Sequence, residues 1–111
     1  MTNKRKARKT ILDVVEKLKI AYRPEKIFLF GSFAYGKPNR DSDIDLLIIK
    51  NTKRRPIDRR IMARSLICDL RGGFPFSFLV ITPKEVDERL ERGDQFLQEI
   101  VSRGEVLYAK Q

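Results

Sequence analysis

The residues with the clearest chemistry are Gly31, Ser32, Asp43 and Asp45, all inside the stretch FLFGSFAYGKPNRDSDIDLLII. The apolar run Lys26 to Phe30 reads as a buried strand that stops at Gly31, and Ser32 to Tyr35 reads as a short helix. Gly31 and Ser32 therefore stand at a helix N-terminus, where unpaired N–H groups and a partial positive charge attract a phosphate. The glycine lets the phosphate approach the backbone, and the serine adds a hydroxyl donor. Asp43 and Asp45 lie two apart at the start of a second strand, a spacing that points both carboxylates to one face. Their repulsion is most readily relieved by a divalent cation, which also neutralises phosphate oxygens and the charge that builds in phosphoryl transfer.

The composition narrows the cation. With no histidine, the usual zinc sets and every histidine-based triad are excluded. The lone cysteine, Cys68, cannot form an internal disulfide, and its apolar surroundings (SLICDL) place it in the core. A metal here must be held by carboxylates, and oxygen ligands suit magnesium or manganese. The formal charge of +9 attracts polyanions such as nucleotides, nucleic acid or an acidic protein, without choosing among them. No apolar run approaches the roughly 20 residues that span a bilayer, and the basic N-terminus lacks the apolar segment of a signal peptide. The expectation is a cytoplasmic protein with no membrane partner.

At 111 residues, 41% hydrophobic and 35% charged, the chain fits one folded domain over residues 1–111. Residues 1–9 carry Lys4, Arg5, Lys6, Arg8 and Lys9 with almost nothing apolar and read as a mobile basic arm. A helix follows from Thr10, its N-cap, to Tyr22, burying Ile11, Leu12, Val15, Leu18 and Tyr22 and ending before Pro24. The turn-rich KPNRDS leads from Gly36 into the strand Asp43 to Ile49, placed beside the first strand. Pro56 opens a helix to about Leu70, with Ile57, Ile61, Ala63, Leu66, Ile67 and Leu70 inward and Arg54, Arg55, Arg59, Arg60 and Arg64 outward. Phe76 to Ile81 is a third strand. Thr82, Pro83 and Glu85 form a helix-opening capping signature, Asp94 caps a further short helix after Gly93, and Glu105 to Ala109 is an edge strand. The order α-β-α-β-α-β-α-α-β describes an α/β (α+β) domain, a small mixed sheet with helices packed on it.

Ten residues separate Ser32 from Asp43, and this Gly-Ser, ten-residue gap, Asp-x-Asp pattern resembles the polymerase-beta-like nucleotidyltransferase superfamily. The segment GSFAYGKPNRDSDIDLLI, the later VITPKE and the short length resemble its minimal nucleotidyltransferase family. The resemblance implies Asp43 and Asp45 as catalytic metal ligands for magnesium, Gly31 and Ser32 as nucleotide-binding residues, and transfer of AMP from ATP, or another nucleotide, to a hydroxyl. It further implies a separate HEPN-type toxin partner, with this chain as the antitoxin. It also implies a third carboxylate on a neighbouring strand, and counting back from Thr82-Pro83 puts Ser77 at that position. A serine can be neither a general base nor a charged ligand for a second metal. Asp69 and Glu85 are the nearest acidic substitutes in the sequence.

Two other functions remain open. One is a nucleotide-binding antitoxin that acts by binding its partner with catalysis weakened. The other is a nucleic-acid-binding module using the basic arm and the stripe Lys53 to Arg64, although no aromatic residue is interleaved with those charges. Lys37 and Arg40, in the loop between the two motif halves, could reach nucleotide phosphates.

Overall fold

The computed structural model describes residues 2–111, and the side chains of 4–111. The first helix, α1, covers Thr2–Ala21. It buries Ala7, Ile11, Val14, Val15 and Leu18, a repeat of three and four residues that keeps one stripe on the core. It ends as Arg23 turns left-handed at φ 56°, with Pro24 beyond. Residues 2–9, expected as an arm leading into this helix, are instead its first turns. Ala7 is buried there, and the Arg8 guanidinium donates to both Glu105 carboxylate oxygens at 2.8 and 2.6 Å. Thr10 is accordingly a buried residue within the helix and not its cap, and Leu12 faces outward while Val14 takes the core position.

The remaining elements follow the expected order: β1 Lys26–Phe30, α2 Ser32–Tyr35, β2 Ile44–Ile49, α3 Pro56–Ile67, β3 Phe76–Ile81, α4 Pro83–Glu91, α5 Gln95–Arg103 and β4 Glu105–Ala109. The sheet order is β3-β2-β1-β4, with β1 antiparallel to β2 and β4. Strands β2 and β3 are parallel, as the helical crossover through α3 requires. Alternation along the strands divides the core in two. Ile27, Leu29, Ile44, Leu46, Ile48, Phe76, Phe78 and Val80 face α1 and α3. Phe28, Phe30, Leu47, Ile49 and Ile81 face α5, where Leu97 and Ile100 cover them, with Val86 and Leu90 of α4 at the side. The capping box of Thr82 and Glu85 opens α4, and the Asp94 carboxylate accepts from the Leu97 N–H at 3.0 Å to open α5. No helix among the described residues is long and apolar enough to cross a membrane.

Three expectations about α3 and its end fail, for one reason. The helix presents Arg59, Ala63 and Ile67 to the sheet, leaving Ile57 and Ile61 exposed and Cys68, expected in the core, on the surface. Arg59 tolerates burial because each side of its guanidinium is answered. It donates to the Arg54 carbonyl at 2.7 Å, to the Val80 carbonyl at 3.2 Å and to the Glu85 carboxylate at 2.8 Å. A buried arginine so paired fixes the rotation of its helix more firmly than two isoleucines can, since an unpaired buried charge costs several kcal/mol.

Glu85 is held below the ordinary glutamate range, first by its hydrogen bond with Arg59 and then by the Thr82 N–H. A depressed carboxylate stabilises the fold above its unfolded value and loses that contribution as pH falls through the folded one. Arg59→Met is therefore expected to lower stability by about 1–3 kcal/mol at neutral pH and to flatten the loss of stability below about pH 4. Urea unfolding of both proteins between neutral pH and acid measures both effects.

Candidate active site

Three chain segments meet where β1 ends and β2 and β3 begin. Phe30 is paired with Asp45 across β1 and β2, and Asp45 is paired with Ser77 across β2 and β3. Alternation puts Phe30, Asp45 and Ser77 on the α5 side of the sheet, continuing the row of Leu47 and Leu79. The Ile44 N–H donates to the Pro75 carbonyl at 2.8 Å, which fixes this end of β2 against β3.

Gly31 follows Phe30 at φ 73°, ψ −155°, a region that is essentially reserved for glycine. A Cβ placed there would overlap Asp45 Oδ2, so the Asp45 carboxylate lies directly on the Gly31 backbone. The Gly31 turn and the strand that carries Asp45 thus form one contact surface. Ala34 N–H and Tyr35 N–H turn back to the Gly31 carbonyl at 3.0 and 3.1 Å, which leaves the N–H groups of Ser32 and Phe33 at the open front of the turn. Gly36 closes the turn tightly, since a Cβ there would come within 2.8 Å of Ser32 Cα. On the far side the Arg103 guanidinium lies 4.5 Å from the Tyr35 ring and packs α2 against α5.

Asp43 sits one residue before β2, exposed, and Asp45 is half-buried. Asp45 is raised above the usual aspartate range, by burial first and by the neighbouring Asp43 charge second. This is the electrostatic state of a carboxylate pair short of a counter-charge, and it suits a divalent cation held by Asp43 and Asp45. Among the described residues no group of three or more acidic, cysteine or histidine side chains is gathered for a metal. Ser77 occupies the position beside Asp45 from which β3 could have offered a third carboxylate. Glu85 lies beyond the opposite end of β3 and is engaged by Arg59, and Asp69 follows α3 on the other face of the sheet. Neither replaces it.

In the loop that delivers Asp43, Asn39 has a structural role that its sequence context signals only weakly. Asn39 Oδ1 accepts from the Asp41 N–H at 2.8 Å, the Asn39 carbonyl accepts from the Ser42 N–H at 3.1 Å, and Ser42 Oγ accepts from the Asn39 N–H at 2.9 Å. An asparagine three residues before a serine in a turn-rich segment is the available signal, because both side chains readily cap local backbone. Lys37 and Arg40 are exposed in the same loop and make no ion pair among the described residues.

The family described as polymerase beta, nucleotidyltransferase, matches residues 9–111 of this chain. A "putative protein adenylyltransferase" of Methanocaldococcus jannaschii is 38% identical over 63 residues, which cover 54% of this chain and 43% of that relative, so the chain spans less than half of its length. The structure of a "putative nucleotidyltransferase" from Sulfolobus solfataricus superposes with a TM-score of 0.60 at 24% identity, over 77% of this chain and 75% of the other. A toxin-antitoxin structure with AMP-PNP superposes with a TM-score of 0.50 at 24% identity, over 98% of this chain and 75% of the other. At these identities the two structures speak for the fold.

Gly31→Ala is expected to destabilise the protein by about 1–3 kcal/mol from backbone strain alone, and by more if the Asp45 side chain is displaced. Denaturant unfolding of Gly31→Ala beside Gly73→Ala, which shares the strain of a positive φ (86°) but whose Cβ would meet nothing, separates the Asp45 contact from the backbone strain. Asp45 has the opposite sign to Glu85: its raised value means that stability is full below the unfolded value and is lost as pH rises through the folded one. In metal-free buffer Asp45→Asn is therefore expected to melt higher than wild type at neutral pH. Magnesium should raise the wild-type melting temperature and leave that of Asp45→Asn unchanged.

Proposed function

We propose, from the premise that this chain belongs to the polymerase beta nucleotidyltransferase family, that it moves AMP from ATP onto a hydroxyl of a partner protein, as the minimal nucleotidyltransferase antitoxin of a HEPN-type toxin. The observation that carries the nucleotide site is the Asp45 carboxylate lying on the Gly31 backbone with Asp43 two residues away. The adenylyl choice and the protein acceptor are supported by what the M. jannaschii relative is named for, and the two-protein setting by the toxin-antitoxin neighbour.

In this reading the Ser32 hydroxyl and the N–H groups at the front of α2 hold phosphate oxygens, and Gly31 admits them to the backbone. Asp43 and Asp45 hold magnesium, which when bound neutralises phosphate oxygens and the charge of the transition state. The acceptor oxygen bonds to the α-phosphorus as the bond from that phosphorus to the bridging oxygen breaks, and pyrophosphate leaves with the electron pair. The acceptor proton then needs a base, and Ser77 is not one. It leaves to solvent, which makes the transfer slow. Ser77 also favours a second reading, in which the chain binds nucleotide and neutralises its partner by contact with catalysis weakened.

Incubation with labelled ATP, magnesium and a small helical HEPN-type protein encoded beside this one separates the two. Wild type is expected to label the partner, Asp43→Ala to lose the label, and Ser77→Asp to label faster by about 100-fold, the scale of a general base. If wild type and Ser77→Asp both leave the partner unlabelled while Asp43→Ala still neutralises it, transfer is not its function and contact alone is.

A further inference from the structure

We propose that the groove on the α1 side of the Gly31 turn is a track for single-stranded nucleic acid. Three depressions run together there by sharing walls. The first, about 560 Å3, lies between the opening turns of α1 and α2, with Lys4, Arg5 and Ser32 among its walls. The second, about 550 Å3, shares Lys4 and Phe33 with the first and follows the 37–40 loop to Phe74. The third, about 300 Å3, shares Phe74 and Pro75 with the second and ends at Arg71.

The charge along this path has one sign. Lys4, Arg5, Lys37, Arg40 and Arg71 line it, none of them in an ion pair among the described residues, and no aspartate or glutamate lines any of the three depressions. Arg8 is the one further cation, and Glu105 neutralises it. Two half-buried aromatic rings, Phe33 and Phe74, stand between the cations. A row of unpaired cations with recessed rings is what a backbone of phosphates carrying stackable bases requires. Each depression has the size of a small-molecule pocket, which suits successive nucleotides and not the side of a duplex. An acidic protein would leave the recessed rings unused. The surface better suited to a protein is α3, where the exposed Ile57 and Ile61 stand beside Arg60 and Arg64.

The proposal moves the nucleic-acid surface away from the Lys53 to Arg64 stripe. There Arg59 is buried and Arg55 is paired with Asp58, so the stripe is weaker than its sequence suggests. The groove is assembled from residues near positions 4, 33, 37–40 and 71–75, which is why no run of sequence interleaves its charges and rings. It adjoins the transfer site at Ser32, while Asp43 and Asp45 lie outside its walls.

The test is fluorescence anisotropy with labelled oligo-uridine and oligo-thymidine of about 12 nucleotides at about 50 and 200 mM salt. Lys37→Glu with Arg40→Glu is expected to weaken binding at least tenfold and to lower the salt slope by about 1.4, two lost phosphate contacts on a single strand. Arg60→Glu with Arg64→Glu makes the same change in net charge and is expected to leave affinity within about twofold, because the groove is untouched. Phe74→Leu should weaken binding about tenfold with the slope unchanged, the mark of lost stacking. Asp43→Asn should bind as wild type does, so a failure of transfer leaves this result standing. Equal loss from the two charge-reversed pairs, equal affinity for poly-glutamate, or no binding at the lower salt overturns the proposal.

Discussion

The site depends on one close approach, that of the Asp45 carboxylate to the Gly31 backbone. The antiparallel pairing of β1 and β2 sets Phe30 opposite Asp45, so the residue that follows β1 has to pass over the Asp45 side chain. Any side chain at that position would be driven into the carboxylate, and the backbone adopts a conformation that glycine alone tolerates. Gly31 therefore serves sheet pairing, the sharp entry into α2 and the juxtaposition of the open N–H groups of α2 with the Asp45 carboxylate. Those three requirements coincide in one residue, which is why the geometry of the turn and the placement of the acid cannot be varied separately.

The two ends of the central strands solve opposite electrostatic problems. At one end Arg59 and Glu85 satisfy each other, and Glu85 also closes the capping box of α4, so a buried charge becomes a structural clamp between α3, β3 and α4. At the other end Asp43 and Asp45 are placed together, and among the described residues no cation pairs with them. A fold that maximised its own stability would supply one. An uncompensated pair suits a surface that meets a positive charge from outside, and the chain belongs to a nucleotidyltransferase family. Ser77 keeps this end from becoming more negative still, at the expense of a base on β3.

Much of the fold could be read along the chain because its signals are local. Gly31 after an apolar run, Pro56 at a helix start, the Thr82 to Glu85 capping box and Asp94 after Gly93 each act within a few residues, and each marks an element boundary that the structure keeps. The pairing of Asp43 with Asp45 is proposed from the same kind of local signal, since acids on alternate strand positions share a face, although Asp43 stands one residue before β2. What escaped was whatever depended on distant partners. Arg59 looked solvated because Glu85 is 26 residues away, and Arg8 looked like part of a loose arm because Glu105 is 97 residues away. Ile57, Ile61 and Cys68 read as inward by hydrophobicity, which ranks residues singly and cannot register that a paired arginine has claimed the inner face.

The identities and spacing of Gly31, Ser32, Asp43 and Asp45 follow from covalent order, and so does the chemistry they permit: phosphate at a helix start and a cation between alternate acids. The register that puts Asp45 under Gly31 and Ser77 beside it is a property of the assembled sheet, because it is set by pairing Phe30 with Asp45 and Asp45 with Ser77, residues well separated along the chain. The same holds for the rotation of α3 and for the acid-free groove beside the site. Charge and burial are settled by neighbours in space, and for this chain the decisive neighbours are remote in sequence.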